Sequence, residues 1–238
     1  MQRVLLLFFV GLAGAALAAC AAQPEIPFDR AAAGEIKTIA LVTPKMPERP
    51  AVVLASSVGQ SFGLIGALVD ASMQSNREQQ FQTMIDGQKF SPQDCFTKTL
   101  TETLEGEGYT VVPVAAARDG NDWLAQYPKG VSPAPDAYLD VIVSYGYVAA
   151  GIGSSTPYRP SVGVRARLVR ARDSAVLMQD FVVLNPINNR GDNVITLAPD
   201  PAVSFVNFDA LVASPPASIQ GLEAAERRSA ETIAGLLR

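Results

Sequence analysis

Few side chains in this chain of 238 residues could do chemistry, and none of them is a histidine. Without imidazole the chain lacks the commonest general base and metal ligand, and it can form no Ser-His or Cys-His pair. Its acidic residues are scattered: Asp136 and Asp140 flank the start of a predicted strand, and no dense D-x-D-x-D-G calcium loop occurs. The sequence therefore predicts a protein that is not an enzyme and that holds neither a metal ion nor another cofactor.

The thiol of Cys20 is the side chain with the clearest chemical role. Arg3 precedes an uncharged run at 4–19, which is too short and too rich in small residues for a membrane span. The run ends in Leu17-Ala18-Ala19-Cys20, which resembles a bacterial lipobox, where the cysteine takes diacylglycerol and later palmitate. We expect residues 1–19 to be a cleaved signal peptide and Cys20 to be the lipidation site. An ordinary secretory signal and a transmembrane anchor are the less favoured alternatives.

The residue after Cys20 indicates the cellular location of the protein, and the net charge indicates which classes of partner it can bind. Ala21 stands where an aspartate would mark retention in the inner membrane, so we expect an outer-membrane lipoprotein on the periplasmic face. The chain has a formal net charge of −4, so it lacks the excess of basic residues that nucleic-acid binding needs. The predicted partners are membrane lipid, through acylated Cys20, and an envelope protein or cell-wall component. The oligomeric state stays open.

Three further motifs have a structural and a functional interpretation. Cys95 lies beside an apolar helical stripe without nearby cations, which favours a buried, inert thiol over a nucleophile. The glycine-rich 151–155 segment has no lysine and no helix after it, so a hairpin tip is favoured over a phosphate loop. The densest basic group either keeps a strand face soluble or binds an acidic protein or an anionic wall polymer. That group consists of Arg165, Arg167, Arg170 and Arg172.

The residue pattern predicts one α+β domain at 35–238 after a lipidated tether at 20–34. A buried strand at 36–42 and a short strand at 51–55 come first. A glycine-rich lead-in then opens a helix at about 64–85, so that 56–85 forms a helical insertion. Its apolar part at 56–72 either packs on the sheet or binds a membrane or a partner protein. A second helix begins at Ser91, a capping residue, with Pro92 in its first turn.

The C-terminal half predicts a meander followed by a helix. A strand at 109–114 precedes a polar connection at 115–136, in which we expect one helical turn around Trp123 and Leu124. Three strands then alternate apolar and polar residues, with a hairpin turn at 172–174, and a final helix follows at 218–237. The predicted core faces are Leu139, Val141, Val143, Tyr145 and Tyr147; Val162, Val164, Ala166 and Leu168; and Ile219, Leu222, Ala225, Ser229, Ile233 and Leu236, with Glu223, Glu226 and Glu231 mostly off the last face.

These segments resemble periplasmic lipoproteins that carry an anticodon-binding-like α/β domain. The resemblance rests on IKTIALVTP, on FTKTLTETLEGEGYTVVPV, and on the meander from PDAYLDVIVSYGYV to SVGVRARLVRARDSAVLMQDFVVL. Such proteins include the TolB amino-terminal domain, the lipoprotein activators of penicillin-binding proteins, the curli secretion lipoprotein and lipoproteins that assist ABC transporters. The resemblance implies a mixed β-sheet with a C-terminal three-strand meander and helices packed on one face.

Together these observations predict a lipid-anchored periplasmic binding or scaffold protein that docks another envelope component without catalysing a reaction. A subunit of an oligomeric outer-membrane secretion or transport assembly is the alternative. An envelope enzyme is the least favoured hypothesis.

Overall fold

The computed structural model of the chain describes residues 25–33, 36–55, 63–118, 120, 122–150, 157–186 and 193–238. The described residues form a mixed sheet and a set of helices. The strands are β1 Thr38–Val42, β2 Ala51–Ala55, β3 Thr110–Val114, β4 Ala137–Ala150, β5 Arg159–Arg170, β6 Val176–Leu184 and β7 Ile195–Leu197. The helices are α1 Arg30–Ala33, α2 Gly63–Gly87, α3 Pro92–Gly106, α4 Phe208–Val212 and α5 Pro215–Gly235.

The sheet has seven strands in the order β3-β1-β4-β5-β6-β7, and β2 also pairs with β4. Strands β1 and β2 both run parallel to β4, so they lie one after the other along the same side of that long strand. Strands β4, β5 and β6 are antiparallel neighbours, which confirms the predicted meander. The architecture is α+β, as the sequence predicts.

The helices cover one face of the sheet, and the alternation of side chains along the strands explains this arrangement. Leu139, Val141 and Val143 of β4 are buried toward the helices, together with Val162 and Val164 of β5. Helix α5 packs against β4, β5 and β6, while α3 packs against α5. The predicted core faces of these strands are therefore confirmed.

Local signals set the bounds of α3. The side chain of Ser91 accepts a hydrogen bond from the backbone N–H of Asp94 at 3.2 Å, and Pro92 occupies the first turn. Phe96, Leu100 and Leu104 form its fully buried stripe. The predicted cap and stripe are confirmed.

Two local expectations are wrong. No helical turn forms around Trp123 and Leu124. Side chains of the sheet hold both residues in place: Asp140 accepts a hydrogen bond from the Leu124 backbone N–H, and Arg167 stacks on the Trp123 ring. Glu226 does not lie off the apolar face of α5 but is fully buried under it. Its spacing from two core residues, four after Leu222 and three before Ser229, was the signal for this burial.

Candidate functional site

The sheet face opposite the helices carries the polar and aromatic side chains that the core excludes. Along β4 this face holds Tyr138, Asp140, Ile142 and Ser144, and along β5 it holds Arg165 and Arg167. The described residues of the connection 115–136 cover the half of the face where β4 begins. The other half has no covering helix among the described residues. We call it the open face.

Asp140 anchors the covering connection to the sheet. Its carboxylate is fully buried and forms an ion pair with Arg118, whose side chain is only 5% exposed. It also accepts hydrogen bonds from the Leu124 backbone N–H at 3.0 Å and from the Tyr127 hydroxyl at 3.2 Å. Burial, and then the Asp140 charge, raise the pKa of Tyr127. The sequence pattern placed Asp140 beside a strand start but gave no sign of this pair, because Arg118 lies far away along the chain.

Trp123 lies on the predicted basic group. The guanidinium carbons of Arg165 and Arg167 are 5.3 and 4.6 Å from the centroid of the Trp123 ring, within cation–π range. Arg167 also donates from Nε to the Gln179 side chain at 2.9 Å, and Arg165 lies 3.8 Å from the Asp122 carboxylate. These two arginines therefore hold the covering connection on the sheet.

The other two predicted arginines belong to the β5–β6 turn. Asp173 lies 3.3 Å from Arg170 and 3.5 Å from Arg172, and it accepts a hydrogen bond from the Ala175 backbone N–H at 3.1 Å. The backbone N–H of Ala175, followed by the two arginines, lowers the pKa of Asp173. The structure thus divides the predicted four-arginine group into a sheet-face pair and a turn pair.

A basic cleft lies between the covering connection and the ends of β5 and β6. It encloses about 440 Å³. One wall is the stacked pair Tyr127 and Tyr138, whose ring centroids are 5.0 Å apart. The charged residues that line it are Lys129, Arg167 and Arg170, and no carboxylate lines it among the described residues.

A shallow groove crosses the open face. Its two continuous sections, of about 180 and 260 Å³, share Ser144, Gly163 and Phe181. The small residues on β4 and β5 make the floor, and Phe181 of β6 makes an apolar wall. At one end of the groove, Ile142 of β4 has Lys45 as its neighbour on one side and Arg165 of β5 on the other. The two cations therefore lie in one row across the sheet.

A buried acid, Glu226, lies in the helix layer and was not predicted. Burial raises its pKa to about 9, and an interaction with the Cys95 thiol offsets part of this rise. The half-buried thiol of Cys95 lies nearby, and burial with the Glu226 charge raises its pKa to about 12. A thiol with so high a pKa is a poor nucleophile, in keeping with the predicted inert cysteine.

The N-terminal segment is attached to the sheet. Ile26 exchanges two backbone hydrogen bonds with Gln179 of β6, at 2.7 and 2.8 Å. Arg30 donates to the Tyr109 hydroxyl at 3.3 Å and to the Leu237 carbonyl at 3.1 Å. The described part of the predicted tether therefore packs on the domain.

Several predicted features lie outside the described residues. They include Cys20, the signal peptide, the 151–155 segment and the first part of the glycine-rich lead-in. Within the described ranges, no helix combines the length and the apolar character needed to cross a bilayer. The same ranges contain no cluster of cysteine or acidic side chains suited to hold a metal ion.

The fold and the open face define an α+β protein with a mixed seven-stranded sheet and helices on one side. No family model matches the chain, and no curated protein matches it. Among solved structures, the chain is similar to protein XCC0632 of family DUF330 from Xanthomonas campestris. The TM-score is 0.41 at 10% identity, over 90% of this chain and 86% of that one.

Two further solved structures show a similar degree of likeness. One is a putative neuraminyllactose-binding hemagglutinin homolog from Helicobacter pylori, with a TM-score of 0.39 at 11% identity over 90% of this chain and 92% of that one. The other is lipoprotein GNA1162 from Neisseria meningitidis, with a TM-score of 0.28 at 16% identity over 62% and 81%. With TM-scores below 0.5, these likenesses assign neither a family nor a function to this chain.

Proposed function

We propose that the chain is a non-catalytic, lipid-anchored protein that docks another component of the bacterial envelope through the groove on its open face. The observation that carries this proposal is the groove itself. On this sheet face, which no described helix covers, Val53 and Phe181 stay partly accessible to solvent in a concave lining. Concave, partly apolar surfaces of this kind are typical of binding sites. The lipobox-like sequence at Cys20 supports anchoring at the periplasmic face of the outer membrane.

The lining of the groove favours a protein partner with an apolar side chain beside a carboxylate. Gly163 and Ser144 leave room on the floor, while Phe181 and Val183 provide apolar contact. Lys45 and Arg165 at one end would attract the carboxylate. In this proposal Arg165 is the partner-binding member of the predicted basic group, and Arg167 positions it through Trp123.

A photo-crosslinking amino acid at position 144 in living cells tests the docking proposal. The matched control carries the same amino acid at Glu102, an exposed residue on the helix side. We expect one crosslinked envelope protein from position 144, and Lys45→Glu should reduce its yield. Equal products from both positions would overturn the proposal.

Cys20→Ser tests the anchor. The wild-type chain should fractionate with the outer membrane and carry diacylglycerol on Cys20 by mass spectrometry. The variant should lose both properties. A wild-type protein without lipid on Cys20 would contradict the proposed anchor, whatever the partner is.

A subunit of an oligomeric envelope assembly is the second candidate, and one apolar surface favours it. Val206 is 70% exposed and Leu54 is 39% exposed, beside a concavity of about 310 Å³ that Tyr158 and Phe208 also line. Leu54 also lies in β2, which directly precedes the glycine-rich stretch in the sequence. Sedimentation of the purified protein in detergent, compared with a Val206→Glu variant, tests it: an oligomer that the variant dissociates would support the assembly.

A further inference from the structure

We propose that the basic cleft binds the phosphate group of an anionic phospholipid in the membrane that holds the Cys20 acyl chains. This inference deepens the proposed function and rests on its lipid anchor. It assigns the bilayer surface itself as the ligand of the cleft, so that the anchored domain has a defined orientation.

The charge balance of the cleft is the first argument. Asp140 lies beneath the Tyr127 wall, where Arg118 already neutralises it. Asp173 is shared between two arginines of the turn, which leaves the turn with one excess positive charge. Lys129 and Arg167 have no carboxylate partner among the described residues. The cleft therefore presents a net positive charge to an anion.

The shape of the cleft fits a phosphate. Arg167 is fixed by the Gln179 side chain and by the Trp123 ring, and Arg170 by the turn. Guanidinium groups held in this way lose little conformational entropy when they bind, and their planar donor fork matches phosphate oxygens. Lys129 is exposed at the mouth, where a mobile ammonium group would meet a headgroup first.

The course of the chain places the cleft near the membrane. Ile26 pairs with Gln179, the residue that also holds Arg167, and Arg30 lies beside Tyr109 just before β3. These contacts and the cleft occupy the same end of the sheet, where β4 begins and β5 ends. From Cys20 to Ile26 a fully extended chain spans at most about 22 Å. An acylated Cys20 therefore keeps this end close to the bilayer.

The same orientation leaves the docking groove accessible. Gly163 lies seven residues before Arg170 along β5, which corresponds to about 23 Å of strand. With the basic cleft on the headgroups, the groove stands above the membrane surface and faces the periplasm. The covered end of this sheet face would thus bind lipid, while the open face binds the envelope partner.

Vesicle binding by the mature chain carrying Cys20→Ser tests the proposal without help from the acyl chains. Trp123 is the only tryptophan and lies on Arg167, so its fluorescence reports on the cleft. We expect binding to vesicles of phosphatidylcholine with phosphatidylglycerol, weakened at high salt. Lys129→Glu, at an exposed position, should weaken binding at least fivefold, and Lys98→Glu on α3 serves as the matched charge control. Equal binding to pure phosphatidylcholine vesicles would overturn the proposal.

Two further arms separate lipid from other anions. Glycerol 3-phosphate or an acidic peptide that shifts Trp123 fluorescence while vesicles do not would overturn the phospholipid assignment. Equal losses in Lys129→Glu and Lys98→Glu would also overturn it, because bulk charge would then explain the binding. Failure of the lipid anchor is detected separately, by mass spectrometry of the peptide that carries Cys20 in the wild-type chain.

Discussion

At the scale of single residues, Glu226 makes stability depend on pH. Its pKa is about 9 in the folded protein against an ordinary value of 4.5, because burial disfavours the charged form. A group whose pKa rises on folding stabilises the protein fully below its unfolded pKa, and this contribution is lost as pH rises toward the folded pKa. Stability should therefore fall between about pH 4.5 and pH 9.

Glu226→Gln should remove this dependence, because glutamine mimics the protonated acid. Urea unfolding of the wild type and the variant should give similar free energies at pH 5. At pH 8.5 the variant should be more stable relative to the wild type by at least about 1 kcal/mol, because the wild type must keep a buried carboxyl protonated well above its ordinary pKa. A constant difference across this range would contradict the raised pKa of Glu226.

The buried ion pair of Asp140 and Arg118 also contributes to stability at the residue scale, because each charge is neutralised by the other away from water. Arg118→Ala should lower the free energy of unfolding by about 3–5 kcal/mol, because it leaves the Asp140 carboxylate buried without its cation. In a double-mutant cycle with Asp140→Asn, the combined loss should be smaller than the sum of the single losses. Strict additivity in denaturant unfolding would contradict direct coupling between the two side chains.

Sequence patterns predicted the residues of the sheet core well and those of the candidate site poorly, for a physical reason. The alternation in β4 and β5 is local, so it placed Leu139 and Val164 on the core side and Arg165 on the other. Pairs such as Arg118 with Asp140 depend on how the covering connection folds back over the sheet. No period in the sequence encodes that path.

At the scale of elements, the junction between β2 and β4 depends on one glycine. Gly146 has a φ of +149°, and a Cβ built there would lie 1.9 Å from the backbone oxygen of Ala51. Strand β2 can pair with β4 only because this position has no side chain. The sequence predicted β2 at 51–55 correctly, but not its partner strand, because parallel pairing leaves no local signature.

Gly146→Ala should separate β2 from β4. We expect a loss of about 2 kcal/mol or more in unfolding free energy and faster amide exchange at Val52 and Val53, because backbone must move against backbone. Gly163→Ala is the matched control, since its Cβ would meet chiefly the Ser144 hydroxyl, which can rotate away. Similar exchange rates at β2 in the two variants would argue against the close approach at Gly146.

At the scale of the whole molecule, three distant parts of the chain meet at one end of the sheet. The Tyr109 hydroxyl donates to the Leu237 carbonyl at 2.5 Å, and Arg30 reaches both residues. The N-terminal segment, the start of β3 and the end of α5 are thus joined. This junction limits the length of chain between Cys20 and the folded domain, and so the distance of the domain from a membrane.

Tyr109→Phe should release the N-terminal segment before the domain unfolds. Arg30 then loses one hydrogen-bond partner, and the Leu237 carbonyl loses another, for a global cost of about 1 kcal/mol. Trypsin should cleave after Arg30 several times faster, measured by mass spectrometry under native conditions.

Tyr147→Phe is the matched control. It removes a 2.7 Å hydrogen bond from the Tyr147 hydroxyl to the Ser218 carbonyl, in another part of the helix layer. It should lower stability without accelerating cleavage at Arg30, since its hydroxyl does not hold the N-terminal segment; equal acceleration in both variants would mean that global opening exposes the site.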